Sequence, residues 1–326
     1  MTRKIICIVT CLILALSLLS ACTADGVWEH SFFALDTVIT LKCSKESAEK
    51  IEKIIREYES ILSPTLPESE LYKLNNNLQQ HLSPKFCEVF DAAYKMSEKT
   101  DGAYNFAIYP LILKWGFTTK NYAVPTLGDI KEILPKINFK NLKIKDNKLI
   151  AEHGALMDFG GIAKGFICDK AVTLLKSEGE KNALLSLGGN VYALGNKQGK
   201  KWEIAIKNPF SDDFAGILSA ENRAVVTSGA YERYFEENGK LYHHIIDPKT
   251  GYPAENDLAS VTIVSESATL ADGYSTALFV MGFEKASAFY RKHKDFDAIF
   301  ILKNGEIYVT EAIAKDFTAE KFEIIR

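Results

Sequence analysis

The chain has 326 residues, 47% hydrophobic and 25% charged, with 39 basic against 42 acidic side chains for a formal charge of −3. That mixture excludes disorder, collagen and coiled coil as descriptions of the whole, and the length supplies a core that needs no disulfide or zinc. No basic block stands out, which argues against nucleic acid as the main partner, because phosphate neutralisation requires clustered Lys and Arg.

The first segment reads as an address. Arg3 and Lys4 precede an apolar run from Ile5 to Leu19, which ends in Leu19-Ser20-Ala21-Cys22. The basic-then-apolar layout is that of a secretory signal, and the run is short for a stable membrane span. The ending resembles a bacterial lipobox, in which the cysteine is acylated and becomes the new N-terminus. Residues 1–21 are therefore expected to be a signal peptide, and 22–326 one mature unit. An extracytoplasmic location follows, with Cys22 lipid-anchored to a bacterial membrane, since each buried CH₂ adds about 0.8 kcal/mol. Removing residues 1–21 leaves a formal charge of −5. Beyond Cys22 remain Cys43, Cys87 and Cys168, an odd number without C-x-x-C spacing, so no disulfide framework is indicated.

Along the mature chain, Lys45 to Leu62 carries Ile51, Ile54, Ile55, Tyr58, Ile61 and Leu62 at helical spacing, stopped by Ser63-Pro64. Ser83 as N-cap and Pro84 at the first helical position start a second helix, with Phe86, Val89, Phe90, Ala93 and Tyr94 on one face. Leu142–Ala151 reads as a hairpin turning at Asp146-Asn147. A third helix is expected from Ile162 to Lys176, and a fourth from about Ala268 to Met281. Tyr231–Ile246 and Ile299–Val309 fold back at Asn238-Gly239 and Asn304-Gly305, both suited to type I′ turns with positive φ at two residues. Ala183–Leu187, Trp202–Lys207, Ala224–Thr227 and Val261–Val264 are further strands. Hairpins interspersed with helices predict an α+β fold with largely antiparallel sheets and packed helices, in a single compact unit.

No P-loop, Rossmann glycine pattern, nucleophile elbow or zincin helix is present. Four clusters stand out instead. Asp158-Phe159-Gly160-Gly161-Ile162-Ala163-Lys164-Gly165 places two glycines before a helix and a cation in its first turn, which suits an anion or is a plain tight turn. Asp272 and Thr276 lie four apart on a helix. They present a carboxylate and a hydroxyl to one point, as for Mg²⁺ or Ca²⁺, or else face solvent and the helix backbone. Gly273 within that helix costs about 1 kcal/mol against alanine, which suggests a close approach. Tyr242-His243-His244-Ile245-Ile246-Asp247-Pro248-Lys249-Thr250-Gly251 couples a turn to His244, a candidate general base or a histidine bonded to a backbone carbonyl. A zinc pair is disfavoured, because adjacent strand residues point to opposite faces. Ser186-Leu187-Gly188-Gly189-Asn190 marks a backbone approach or a bulged turn.

Taken in order, these clusters resemble the ApbE family of flavin transferases. The resemblance starts at Ala34-Leu35-Asp36-Thr37 and continues through Leu62-Ser63, Ser69-Glu70-Leu71, Leu74-Asn75, Gly102-Ala103-Tyr104-Asn105, Pro110-Leu111 and Trp115-Gly116-Phe117. Asp158 to Gly165 follows, then Leu187 to Asn190, Thr227-Ser228-Gly229-x-x-Glu232-Arg233, His244 to Pro248 and Ala271 to Thr276.

The resemblance implies an ApbE-like (T-fold-like) unit that transfers FMN from FAD to a threonine or serine hydroxyl of an acceptor flavoprotein, releasing AMP. It implies Mg²⁺ as cofactor, with Ca²⁺ or Mn²⁺ as possible replacements. Asp272 and Thr276 match side-chain metal ligands, and Gly161 and Ser275 match main-chain ones. Leu35, Ala103, Tyr104, Asn105, Asp158, Lys164 and Ile246 match FAD contacts, and His244 the base that takes the hydroxyl proton. Asp36 stands where many relatives carry Gly, and Asn105 where many carry Asp. The implied acceptor is a membrane redox-pump subunit or an extracytoplasmic flavoprotein. The alternatives are a Mg²⁺-dependent FAD pyrophosphatase, which would use water, and a flavin-binding lipoprotein without chemistry.

Overall fold

The computed structural model describes residues 28–79 and 81–326. The signal segment and Cys22 lie outside the described residues.

The strongest periodic segments fold as their patterns require. The helix Lys45–Leu62 buries Ile51, Ile55, Tyr58 and Leu62, and Ser44 caps it by accepting the Ser47 N–H. Pro84–Lys99 starts on a Ser83 cap with proline in its first turn. The third and fourth helices span Ala163–Ser177 and Ala268–Met281. Gly273 does serve close packing: a Cβ there would lie 2.6 Å from the Met96 methyl of the Pro84–Lys99 helix.

A nine-stranded sheet organises the chain. Its order is Trp28–Ala34, Thr37–Cys43, Ala183–Leu187, Asn190–Leu194, Arg223–Gly229, Leu258–Ser265, Asp297–Leu302, Ile307–Thr310 and Glu323–Ile325, antiparallel except for the last pair. Side chains alternate between two covered faces. Val226, Ile263, Ala298 and Phe300 enter the main core with the helices. Val225, Val264, Ile299 and Ile301 pack on the opposite side against a three-stranded sheet built around Trp202–Lys207 and Phe214–Ala220. The expected α+β fold with mainly antiparallel sheets is therefore observed. A third cluster gathers Leu111, Trp115, Ile130, Ile133 and Ile137 around Ile246.

Turn chemistry follows loop length. Asn238-Gly239 and Asp146-Asn147 both have positive φ at two residues, as a type I′ turn requires. Asn304-Gly305 corrects the sequence reading, since only Gly305 has positive φ. Leu302 N–H bonds Glu306 O and Gly305 N–H bonds Leu302 O, which leaves three loop residues. A three-residue loop takes a type I turn followed by a left-handed glycine, not the two-residue I′ form. Cys43, Cys87 and Cys168 are free thiols.

Two helices cross at Gly165 and cap each other. Ala163–Ser177 follows Ile162, which offers no side-chain cap. Its third amide, Gly165 N–H, donates instead to Asp272 Oδ2 at 2.8 Å. In return, Asp169 of that helix receives the Ala268 N–H at 2.8 Å and the Thr269 N–H at 2.9 Å. It also accepts the Ser267 and Thr269 hydroxyls at 2.8 and 2.6 Å. Helix N-termini leave amides unsatisfied and favour negative charge, so each carboxylate stabilises the opposite helix.

The crossing tolerates no side chain at Gly165. A Cβ there would stand 2.2 Å from Ala268 O and 2.6 Å from Asp272 Cβ. Gly165→Ala is expected to cost at least roughly 2 kcal/mol, because overpacking outweighs the gain in helix propensity. Gly179→Ala, at positive φ but with open space around it, should cost only about 1 kcal/mol. Thermal unfolding followed by circular dichroism checks the difference.

Candidate active site

The crossing helices bring the first group of site residues together. Asp272 is buried, at 4% exposure, and spends Oδ2 on Gly165. Its other carboxylate oxygen takes no hydrogen bond among the described residues. One turn on, Thr276 is half-buried and its hydroxyl is also unengaged among them. A threonine within a helix commonly bonds a carbonyl one turn back. Here Ser275 Oγ takes the Asp272 carbonyl at 2.8 Å, and contacts Ser228 Oγ of the adjacent strand at 2.8 Å.

Gly161 faces this pair. A Cβ on Gly161 would lie 2.9 Å from Thr276 Oγ1 and 3.3 Å from the Tyr104 ring. The glycine turn therefore lays bare backbone against the Thr276 hydroxyl. Tyr104 closes the floor at 3% exposure, and its hydroxyl has no hydrogen-bond partner among the described residues. Burial, with the Asp158 and Asp272 charges beside it, holds that phenol well above its usual pKa, so it remains a neutral donor. A free carboxylate oxygen, a free hydroxyl, exposed backbone and an orphaned phenol fit a hard cation with oxygen ligands and an adjacent oxyanion. No cluster of three or more His, Cys, Asp or Glu exists among the described residues.

Asp158 forms the next wall. Its backbone N–H donates to Phe106 O at 2.8 Å, and its carboxylate accepts the Gly160 N–H at 2.7 Å. Burial raises its pKa, opposed by that N–H and by the charges of Arg233 and Lys164. Neither Lys164 nor Arg233 makes an ion pair among the described residues. The charges of two cations without ion-pair partners among the described residues thus act on one buried carboxylate, as suits a phosphate-bearing ligand.

His244 stands against the same cations. It follows the strand Lys240–His243, whose pairing ends at His243 opposite Tyr234. Its backbone N–H and its ring Nδ1 both bond the Arg233 carbonyl, at 3.0 and 3.2 Å. A carbonyl only accepts, so Nδ1 carries the ring proton and Nε2 holds the lone pair. Burial, then the Arg233 charge, lowers the pKa of His244 from 6.5 to about 3. The ring packs edge-on to Phe117 at 6.3 Å. His243 turns the other way, as strand alternation requires, bonding Ala254 O at 3.1 Å and packing on Phe279.

The remaining expected contacts have other attachments. Leu35 and Asp36 form the first hairpin turn at φ +55° and +56°, and Leu35 N–H donates to Glu59 Oε1 at 2.6 Å. Ala103 and Tyr104 anchor their N–H groups on Thr100. Asn105 donates Nδ2 to Ile137 O at 2.7 Å and accepts the Ala107 N–H at 2.9 Å. An aspartate could not donate the first of these bonds, so asparagine here ties the Tyr104 loop to the 134–137 turn. Ile246 buries its side chain in the Trp115 cluster. Gly188 turns tightly at φ +61° against Thr37. Arg233 was not singled out by sequence reasoning as a site residue. Its only signal was its place in Thr227-Ser228-Gly229-x-x-Glu232-Arg233.

Comparison with known proteins bears on this geometry. The chain is 35% identical over 297 residues to the FAD:protein FMN transferase of Klebsiella pneumoniae, covering 88% of this chain and 92% of that one. It is 34% identical to the FAD:protein FMN transferase of Treponema pallidum, covering 81% and 79%. Among solved structures, the ApbE protein of Thermotoga maritima superposes with a TM-score of 0.84 at 33% identity, covering 89% of this chain and 99% of that one. The flavinyl transferase ApbE of Pseudomonas stutzeri gives 0.80 at 28% identity, covering 91% and 98%. Residues 35–300 match the ApbE family, and with these relatives over most of its length the chain belongs to that family.

Proposed function

We propose that this protein transfers FMN from FAD to a threonine or serine hydroxyl of an acceptor flavoprotein, with a divalent cation, Mg²⁺ by preference, at Asp272. The observation that carries the reading is the convergence of Asp272, a Thr276 hydroxyl unengaged among the described residues and bare Gly161 backbone. The relatives' activity supplies the substrates. Asp272 and Thr276 would hold the cation through side chains, with the main chain of Gly161 and Ser275. A cation held there would supply charge neutralisation to phosphate oxygens and to the leaving group.

The protein's own residues do the rest. Lys164 and Arg233 hold negative charge, and Tyr104 offers a buried neutral O–H to the same region. His244 Nε2 accepts the proton of the acceptor hydroxyl as its oxygen bonds the FMN phosphorus. The bond from that phosphorus to the AMP oxygen breaks, AMP departs, and FMN stays on the acceptor as a phosphoester. Anchoring through acylated Cys22 completes the proposal, supported by the Leu19-Ser20-Ala21-Cys22 ending. It would present the site to extracytoplasmic acceptors such as redox-pump subunits. If so, Cys22→Ala should leave the membrane fraction or remain unprocessed, seen by fractionation and lipid labelling.

Removing the metal site should abolish turnover. Asp272→Ala and excess EDTA are each expected to stop acceptor labelling by FAD, followed by intact-mass measurement. Gly161→Ala should do nearly the same, because its methyl would occupy the space 2.9 Å from the Thr276 hydroxyl. Full labelling by Asp272→Ala would move the metal elsewhere. Release of free FMN by wild type, with the acceptor unlabelled, would instead make the enzyme a pyrophosphatase.

Losing the base should be less severe. His244→Ala is expected to bind FAD but transfer FMN about 10²–10⁴-fold more slowly. His243→Ala should act mainly on stability. The pH dependence follows from the sign of the shift. A histidine lowered from 6.5 to about 3 stays unprotonated in the free enzyme, so kcat/KM should show no acid limb near pH 6.5. Bound diphosphate offsets the Arg233 and Lys164 charges and raises that pKa, so the acid limb of kcat should lie at higher pH than that of kcat/KM. Coincident limbs at pH 6.5 in both profiles would remove His244 from this role.

A further inference from the structure

Asp169 has no part in the proposed reaction, yet it makes the densest set of polar contacts near the site. Its carboxylate receives four hydrogen bonds from three consecutive residues, Ser267, Ala268 and Thr269, at 2.6–2.9 Å. All four lie at the N-terminus of the helix that carries Asp272 and Thr276. Ser267 is in addition that helix's own cap, accepting the Leu270 N–H at 3.3 Å. Asp169 therefore adds a second, charged cap supplied from the partner helix. Its own helix follows the turn that carries Gly161 and holds Gly165 as its third residue.

The consequence is geometric. The proposed cation ligands sit on two separate segments, Gly161 on the turn and Asp272, Ser275 and Thr276 on the other helix. Among the described residues, two polar links join these helices: Gly165 N–H to Asp272, and the Asp169 cluster. The first spends an oxygen of a proposed ligand and lies inside the site. The second lies one turn away and ties the helix against sliding along its axis or rotating. A rotation of the Asp272 helix by a fraction of a turn would carry the Thr276 hydroxyl away from Gly161. Ligand sets formed from two segments depend on outer residues that hold them in register.

We propose that Asp169 is a positioning residue that sets divalent-cation affinity by locking the Asp272 helix in register with the Gly161 turn. The inference rests on the metal reading above. Its test uses Mn²⁺ alone, without FAD, with the unbound ion counted by electron paramagnetic resonance on the full mature chain.

Asp169→Asn leaves one acceptor oxygen and turns an NH₂ toward groups that themselves donate. It is expected to raise the Mn²⁺ dissociation constant at least ~10-fold at a temperature where the variant is fully folded. Ile301→Val, in the core on the opposite face of the sheet, lowers the melting temperature without touching either helix, and should bind Mn²⁺ as wild type does. If Asp169→Asn fails to fold, Ser267→Ala and Thr269→Val carry the test. Thr269→Val removes one of the four bonds and should weaken Mn²⁺ binding about 2–3-fold. Ser267→Ala, which also removes the helix's own cap, should weaken it more. Wild-type Mn²⁺ affinity in a folded Asp169→Asn, or in both single-bond variants, would reduce Asp169 to a stabilising cap and overturn the proposal. If Asp272→Ala binds Mn²⁺ as tightly as wild type, the metal reading itself fails, and the positioning role falls with it.

Discussion

Everything at the site depends on two helices meeting without a side chain between them. At Gly165 the backbone of one helix comes so near Ala268 and Asp272 of the other that a methyl group would collide with a carbonyl oxygen. That contact lets Asp272 reach the Gly165 amide and Asp169 reach the Ala268 and Thr269 amides. Each helix start is satisfied by a carboxylate from its neighbour, so the two N-terminal dipoles face acidic groups instead of empty space. The arrangement fixes relative translation, tilt and rotation together. It also explains why Ala163–Ser177 can begin at Ile162, a residue with no capping side chain.

The sheet supports this crossing and leaves its upper end open. Strands Arg223–Gly229 and Leu258–Ser265 back the Asp272 helix, and Ser228 reaches across to Ser275. Tyr104 enters from a third direction, held by Thr100 below and by the Asn105 bridge to Ile137 beside it. Thr276 Oγ1 and the Tyr104 ring therefore meet at the bare backbone of Gly161, above a closed core. Within it Phe159 stacks on Phe106 at 5.8 Å and meets Phe86 edge-on at 5.6 Å.

How much of this was legible in the sequence depends on the range of the interaction involved. Lys45–Leu62 and Pro84–Lys99 were readable because apolar spacing, a serine cap and a proline all act within a few residues. The Asn238-Gly239 turn was readable for the same reason. Asn304-Gly305 was not, because the same dipeptide serves two- and three-residue loops, and strand register chooses between them. The first hairpin also escaped. Its turn residues, Leu35 and Asp36, include a leucine at φ +55°, a conformation that costs a side chain energy and is held here by a hydrogen bond to Glu59. Asp158, Gly161, Asp272, Thr276 and His244 were legible as local clusters, but only three-dimensional placement distinguishes an idle threonine from one bonded to its own helix. Asp169 left no local trace, since its partners stand about a hundred residues away.

The electrostatics of the site carry a further consequence for timing. A buried base near cations is a poor base, and burial, then the Arg233 charge, holds His244 at about 3 before anything binds. The same cations attract a diphosphate. Two arriving negative charges would offset the part of the suppression that comes from those cations, and the imidazole's affinity for a proton would rise. The histidine would thus be weak in the empty enzyme and competent in the loaded one. Its Nδ1–H remains fixed on the Arg233 carbonyl throughout, so no tautomer change has to accompany the gain. In the proposed reaction Arg233 would do two things at once: its guanidinium would set when the base becomes active, and its carbonyl which nitrogen acts.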